Sequence, residues 1–164
     1  PPASVVCTGQ ASSQVNQDLL SRLIADDYFT QAPPKSTGRE HFNLTWLQQH
    51  LAASPAIPAA DVQATLVELT AISIANEVSK DVDDKEYYVC GGGVYNDTLM
   101  TRLAFHLNQS TMATTEQLNV HPMHVEAAAF AWLAYAFTNR LHGNVREVTG
   151  ANKHCVLGSF TPFA

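Results

Sequence analysis

Tyr87-Tyr88-Val89-Cys90-Gly91-Gly92-Gly93-Val94-Tyr95-Asn96 is the stretch whose reading decides the fold. Two tyrosines and a valine favour a strand over Glu86 to Cys90. The glycines stop it, and Asn96 is placed to cap a helix at once, one whose Leu99, Leu103 and Leu107 share a side. A buried strand passing through glycines into a capped helix is an α/β arrangement. Glycines also let a ligand approach the backbone with no Cβ in the way. The free N–H groups and positive dipole end of the helix suit a phosphate. The spacing matches neither the dinucleotide fingerprint nor the P-loop, since no Gly-Lys-Ser/Thr follows. A tight strand-to-helix turn without a ligand uses the same residues, so both readings stand on this stretch alone.

Upstream, Leu19, Leu20, Leu23 and Ile24 recur at helical spacing and predict a helix over about Val15 to Phe29. Pro33-Pro34 and Gly38 make residues 31–39 a loop. A short helix over Phe42 to Ala52 carries Trp46 and Leu47. Pro55 and Pro58 lead into a long helix, Asp61 to Ser79, whose apolar residues cover more than one face and imply burial between other elements. Asp81 to Lys85 reads as a polar turn. Downstream, Leu118-Asn119-Val120 reads as a short extended piece, and Pro122 opens a helix to about Leu141 with Phe130, Trp132 and Phe137 as core. Glu147-Val148-Thr149 and Cys155 to Phe160 read as strands. Strands alternating with helices give a helix-rich α/β fold with at least partly parallel pairing.

The chain has 164 residues, enough for one ordinary domain with its own core. Apolar residues are 46% and charged residues 15%, which excludes disorder as the ground state. A formal charge of −6 disfavours nucleic acid, and the nine Lys and Arg residues are too scattered for a polybasic membrane site. Cys7, Cys90 and Cys155 are odd in number and far apart, which fits a reducing compartment. Residues 1–10 show no signal-peptide pattern and no apolar run reaches membrane-spanning length, so cytoplasm is the expectation. The Asn-x-Ser/Thr triplets at Asn43, Asn96 and Asn108 are then read as chance.

Other segments carry candidate chemistry. Glu126 lies early in the helix from Pro122 and shares a face with Phe130, Leu133 and Phe137. A carboxylate on such a face is costly unless it is paired, capping or facing a polar cleft, and a dipole role at the helix start is the simpler reading of the residues alone. Pro33-Pro34-Lys35-Ser36-Thr37-Gly38-Arg39-Glu40 offers cations and hydroxyls to an anion or a sugar carboxylate, or forms a solvated connector with Arg39 and Glu40 paired. His121 and His124, and His154 beside Cys155, lack the further ligands a metal needs, so no metal site is expected. No nucleophile motif of the Gly-x-Ser-x-Gly type occurs.

Five blocks in order resemble the anhydro-N-acetylmuramic acid kinase family. They are Pro33 to Glu40 with Phe42-Asn43, Asp61-Val62-Gln63-Ala64-Thr65-Leu66, Cys90 to Asn96, Glu126 to Ala134, and Val148-Thr149-Gly150-Ala151. Together they cover the chain from about residue 14 to residue 162. Each block is modest, and the ordered set is specific.

The resemblance implies the C-terminal lobe of an actin- and hexokinase-like (ribonuclease H-like) ATPase fold, a mixed sheet with flanking helices, over residues 11–164. Residues 1–10 match nothing expected. It implies a cytoplasmic kinase that uses ATP with Mg2+ to open and phosphorylate its anhydro-sugar at O6 in cell-wall recycling, as a homodimer when full-length. Gly91, Gly92, Gly93 and Asn96 then belong to the nucleotide-binding loop and Glu126 to the substrate side. The family's Gly-Thr-Ser-x-Asp-Gly loop and its aspartate base are absent, so the chain alone is expected to be inactive.

Three positions depart from the family: His121 replaces an acidic cap, Asn119 a glycine and Arg146 a proline. Asn119 tolerates the left-handed conformation. Alternative readings are a lobe of another sugar or acetate-type kinase, and a non-enzymatic dimerisation or regulatory module.

Overall fold

The computed structural model describes residues 13–78, 86–107 and 111–161. Cys7, Asn108, the turn expected over Asp81 to Lys85 and the segment 1–10 lie outside them. Asn16 accepts the Leu19 amide at 2.9 Å and so caps helix α1, Gln17–Ile24. The single helix expected to Phe29 is two. The Asp26 side chain accepts from the Tyr28 amide at 3.0 Å and starts a separate helix α2, Asp27–Thr30. An aspartate that bonds its own downstream amide competes with helix continuation. Asn43 caps α3, Leu44–Ala52, in the same way, so that helix begins later than Phe42.

Helix α4, Ala59–Val78, is the axis of the fold. One side packs on α1, where Leu19, Leu20, Leu23 and Leu69 form a buried cluster flanked by Trp46, Leu47 and Leu51 of α3. Each such leucine contributes about 1.5–3 kcal/mol by leaving water. Another side packs on α5, Asp97–His106, so the breadth of the apolar surface on α4 has the reason the sequence gives it. The Asp61–Leu66 block ties the chain start to α4. Thr65 is fully buried, its Oγ1 accepting from the Asn16 amide at 2.9 Å and donating to the Asp61 carbonyl, while Asp61 accepts from the Gln14 amide.

Strand β1, Glu86–Val89, pairs in parallel with β2, Thr111–Thr114, in the register Glu86↔Thr111 to Val89↔Thr114. Helix α5 is the crossover, and the expected parallel pairing is present. The rest of the strand reading needs correction. β1 is half-buried rather than buried. Residues Leu118 to Val120 are not extended: a 3-10 turn over Thr115–Leu118 closes on Asn119 at φ 58°.

A second 3-10 turn, Pro122–His124, feeds α6, Val125–Thr138, which stops short of Leu141. Residues 147–149 are not a strand but part of a helical turn α7, Arg146–Thr149, closed by Gly150 at φ 68°. Cys155 to Phe160 forms no strand and joins no sheet among the described residues. The Gly143 amide donates to the Cys155 carbonyl at 2.9 Å, and the Cys155 amide to Asn144 Oδ1 at 2.7 Å. Phe130, Trp132 and Tyr135 on α6 are more than half exposed and Phe137 is half-buried, so the core expected on this helix is a surface among the described residues. No described helix is long and apolar enough to cross a membrane.

Candidate functional site

Gly91 leaves β1 at φ 79° and ψ −176°, a backbone region essentially closed to residues with a Cβ. Its amide donates to the Pro122 carbonyl at 3.0 Å and fastens the turn to the start of α6. A 3-10 turn, Gly92–Tyr95, then stands between strand and helix, where the sequence pointed to direct entry into α5. The turn closes as the Asn96 amide donates to the Gly93 carbonyl at 3.0 Å. Asn96 then caps α5 as expected, its Oδ1 accepting from the Leu99 amide at 3.0 Å. The amides of Gly92 and Gly93, and of Asp97 and Thr98 in the first turn of α5, have no backbone or side-chain acceptor among the described residues.

The turn is open. A Cβ built on Gly91 or Gly92 meets nothing within 4 Å, and one on Gly93 touches only Leu99 Cδ2 at 3.5 Å. Beside it, the cap residue Asn96 and Leu99 of α5 face Gln63, Leu66, Val67 and Thr70 of α4 across a groove of about 200 Å³. Free amides, a helix start and a mostly apolar groove with a few polar groups are what a phosphate bearing an organic moiety requires.

Glu126 sits in the first turn of α6, one turn beyond the carbonyl that receives Gly91. It is exposed, and its side chain makes no hydrogen bond or ion pair among the described residues. The approach to α6 is built from two of the departures. Asn119 takes the left-handed conformation its side chain tolerates. His121 caps the Pro122 turn, its Nδ1 accepting from the Met123 amide at 3.2 Å.

The loop at 33–40 divides. Lys35 is committed to the fold: its Nζ meets Glu77 Oε1 at 2.6 Å, donates to the Tyr28 and Phe29 carbonyls, and lies 5.0 Å from the Tyr28 ring centre. It is not free for an anion. Ser36, Thr37, Arg39 and Glu40 are exposed, and the Arg39–Glu40 pairing of the alternative, solvated-connector reading is not among the ion pairs of the described residues. A Cβ on Gly150 comes to 3.0 Å from Pro34 Cγ, so the first and last of the five blocks meet in space.

Sequence reasoning missed two polar centres. Asp26 accepts from Trp46 Nε1 at 2.9 Å, from the Tyr28 amide and from His41 Nε2 at 2.9 Å. Burial raises its carboxyl, but these bonds outweigh burial and hold it below the usual value. Glu68 of α4 is buried against Arg102 and His106 of α5, and the Arg102 hydrogen bonds chiefly hold its carboxyl low. The available signal was an acid, Glu68, set among apolar residues in the middle of a long helix, with two cation-capable residues four apart on another. Among the described residues no group of three or more His, Cys, Asp or Glu side chains is arranged to hold a metal. Cys90 and Cys155 are free thiols.

Fold and turn together define a helix-rich α/β domain with a small parallel sheet and an open glycine turn at a helix start. The profile of the anhydro-N-acetylmuramic acid kinase family matches residues 7–163. The chain is 49% identical over 153 residues to the anhydro-N-acetylmuramic acid kinase of Pseudomonas paraeruginosa, covering 93% of this chain and 42% of that protein. It is 47% identical over 152 residues to the protein of the same name from Shewanella halifaxensis, covering 93% and 41%. For Burkholderia orbicola the figures are 47% over 157 residues, 93% and 41%. The chain belongs to the anhydro-N-acetylmuramic acid kinase family. It spans about two fifths of the length of these curated relatives.

Proposed function

We propose that this chain supplies the nucleotide-binding lobe of an ATP-dependent kinase acting on 1,6-anhydro-N-acetylmuramic acid. Gly91, Gly92, Gly93 and Asn96 form the loop that receives the phosphates, and the groove between α4 and the start of α5 takes the nucleoside. Glu126, unpartnered beside the turn, belongs to the sugar side of the cleft. Magnesium arrives with the phosphates, since such sites rest on substrate oxygens and a few carboxylates rather than a protein cage. The lobe is of the actin-like ATPase kind, the reaction opens the anhydro ring and phosphorylates O6, and the setting is cytoplasmic cell-wall recycling by a homodimer. Phosphoryl transfer is positioning and charge neutralisation around both substrates, which one lobe does not enclose, so the chain alone binds ATP without turnover.

The observation that carries this reading is the unobstructed space over Gly91 and Gly92 beside unbonded amides. Mg-ATP is expected to raise the melting temperature of the chain, by about 2.7 kcal/mol of stability at a hundredfold excess over Kd. No shift at saturating Mg-ATP contradicts the nucleotide loop and favours a non-enzymatic interaction module. Turnover of the anhydro-sugar by the isolated chain contradicts its expected inactivity.

A further inference from the structure

Glu68 is a carboxylate with 5% exposure in the middle of α4. Its Oε2 accepts from Arg102 Nε at 2.5 Å, and its Oε1 from Arg102 Nη2 at 2.7 Å; Oε1 also lies 2.9 Å from His106 Nε2. Arg102 and His106 are four residues apart on α5, so one acid on α4 holds two successive turns of α5. The Arg102 guanidinium is held in turn over the Phe105 ring, 4.5 Å from its centre.

The buried apolar residues Leu103 of α5 and Leu107 at its C-cap do not by themselves fix how α5 sits along α4, because apolar contact has no direction. A planar guanidinium fork meets a carboxylate in one geometry. Buried ionic sets add little net stability over an apolar filling, and their best-attested use is to set register.

The register matters here because of what lies one and a half turns away. Arg102 is six residues past Asn96, about 9 Å along a rigid helix. The groove beside the glycine turn has Gln63, Leu66, Val67 and Thr70 of α4 as one wall and Asn96 and Leu99 of α5 as the other. Its width is therefore set by how α4 and α5 sit together, and Glu68 belongs to the same stretch of α4, between Val67 and Thr70, without lining the groove itself.

We infer that Glu68, Arg102 and His106 are positioning residues that set α5 on α4 and hold the Gly91–Asn96 turn and its groove in one shape. The identity of the ligand rests on the nucleotide reading above; the register role does not.

The test replaces the whole set by apolar residues of similar size, Glu68→Met, Arg102→Met and His106→Leu, in the 164-residue chain. Melting temperature, the amide NMR signals of Gly91, Gly92, Gly93 and Asn96, and Mg-ATP affinity by titration calorimetry are then compared with the parent. The triple variant is expected to melt no lower than the parent. Its turn amides become broadened or multiple, and its affinity for Mg-ATP falls at least about tenfold. Should the triple variant fail to fold, Arg102→Lys keeps the charge, loses the fork and is expected to show the same spectral change. Turn amides that stay single and sharp at parental positions overturn the inference. If the parent binds no Mg-ATP, the nucleotide reading fails, and the amide spectra still decide the register role.

Discussion

Gly91 and Gly92 are neighbours under different demands. Gly91 needs its glycine for the backbone, at φ 79° and ψ −176°, while the space around it is empty. Gly92 has an ordinary φ and the same empty space, so a methyl there strains nothing within the chain. Gly91→Ala should therefore lower stability by about 1–3 kcal/mol. Gly92→Ala should leave the melting temperature alone and weaken Mg-ATP binding, because its methyl fills the approach to the backbone. Equal melting temperatures for the two alanine variants would disprove the assignment of strain to Gly91.

Two carboxylates, Asp26 and Glu68, tie the fold to pH. Both sit below their ordinary values in the folded chain, through the bonds that outweigh burial at Asp26 and chiefly through Arg102 at Glu68. A depressed folded pKa means that the unfolded chain binds protons more readily as the pH falls. The stabilisation is complete well above the unfolded values, about 3.9 for Asp and 4.3 for Glu; its loss begins as the pH falls through them and is finished only below the lower folded values. Melting temperature should hold from pH 7 to about 5 and then fall towards pH 3. The double variant Asp26→Asn with Glu68→Gln starts lower and shows a shallower acid limb. An acid limb as steep as the parent's would mean that other groups carry it.

Among the elements, those whose reason is local were legible. Asn96 caps α5 and the long α4 is buried on more than one side, as spacing and cap chemistry predict. Asn119 takes the left-handed turn its residue type allows. The misread elements are those whose reason is elsewhere in the chain. β2 is a strand because Thr111–Thr114 lies against β1, and its four residues carry no alternation strong enough to show it. Residues 147–149 have strand-like composition, yet Gly150 closes them into a helical turn against Pro34, a partner far away in sequence. The Glu68 set escaped notice for the same reason, since its members are single polar residues in sequence and meaningful only across two helices. The glycine turn was legible as an opening and illegible as a geometry: the 3-10 turn between β1 and α5 leaves no periodic signature.

At the scale of the whole molecule, α6 is the element out of balance. A helix apolar on every side belongs inside a protein, yet Phe130 is 64% exposed, Trp132 51% and Tyr135 60%. Phe130, Leu133 and Phe137 line an apolar groove of about 450 Å³ with Leu157 and Phe160. Parallel sheets are ordinarily covered on both faces, and β1 with β2 is only half-buried. The relatives are more than twice the length of this chain, so their fold has other polypeptide with which to cover such surfaces. Alone in water, the 164-residue chain is expected to associate with copies of itself, because patches of this kind drive association. Sedimentation velocity should show a weight-average mass that climbs with concentration. Phe130→Glu with Trp132→Glu alters two exposed sites, each expected to shift stability by no more than about 0.5 kcal/mol. That double variant should keep its melting temperature and lose the climb. If it associates as strongly as the parent, the sticky surface is not α6, and the sheet formed by β1 and β2 among the described residues becomes the place where copies meet.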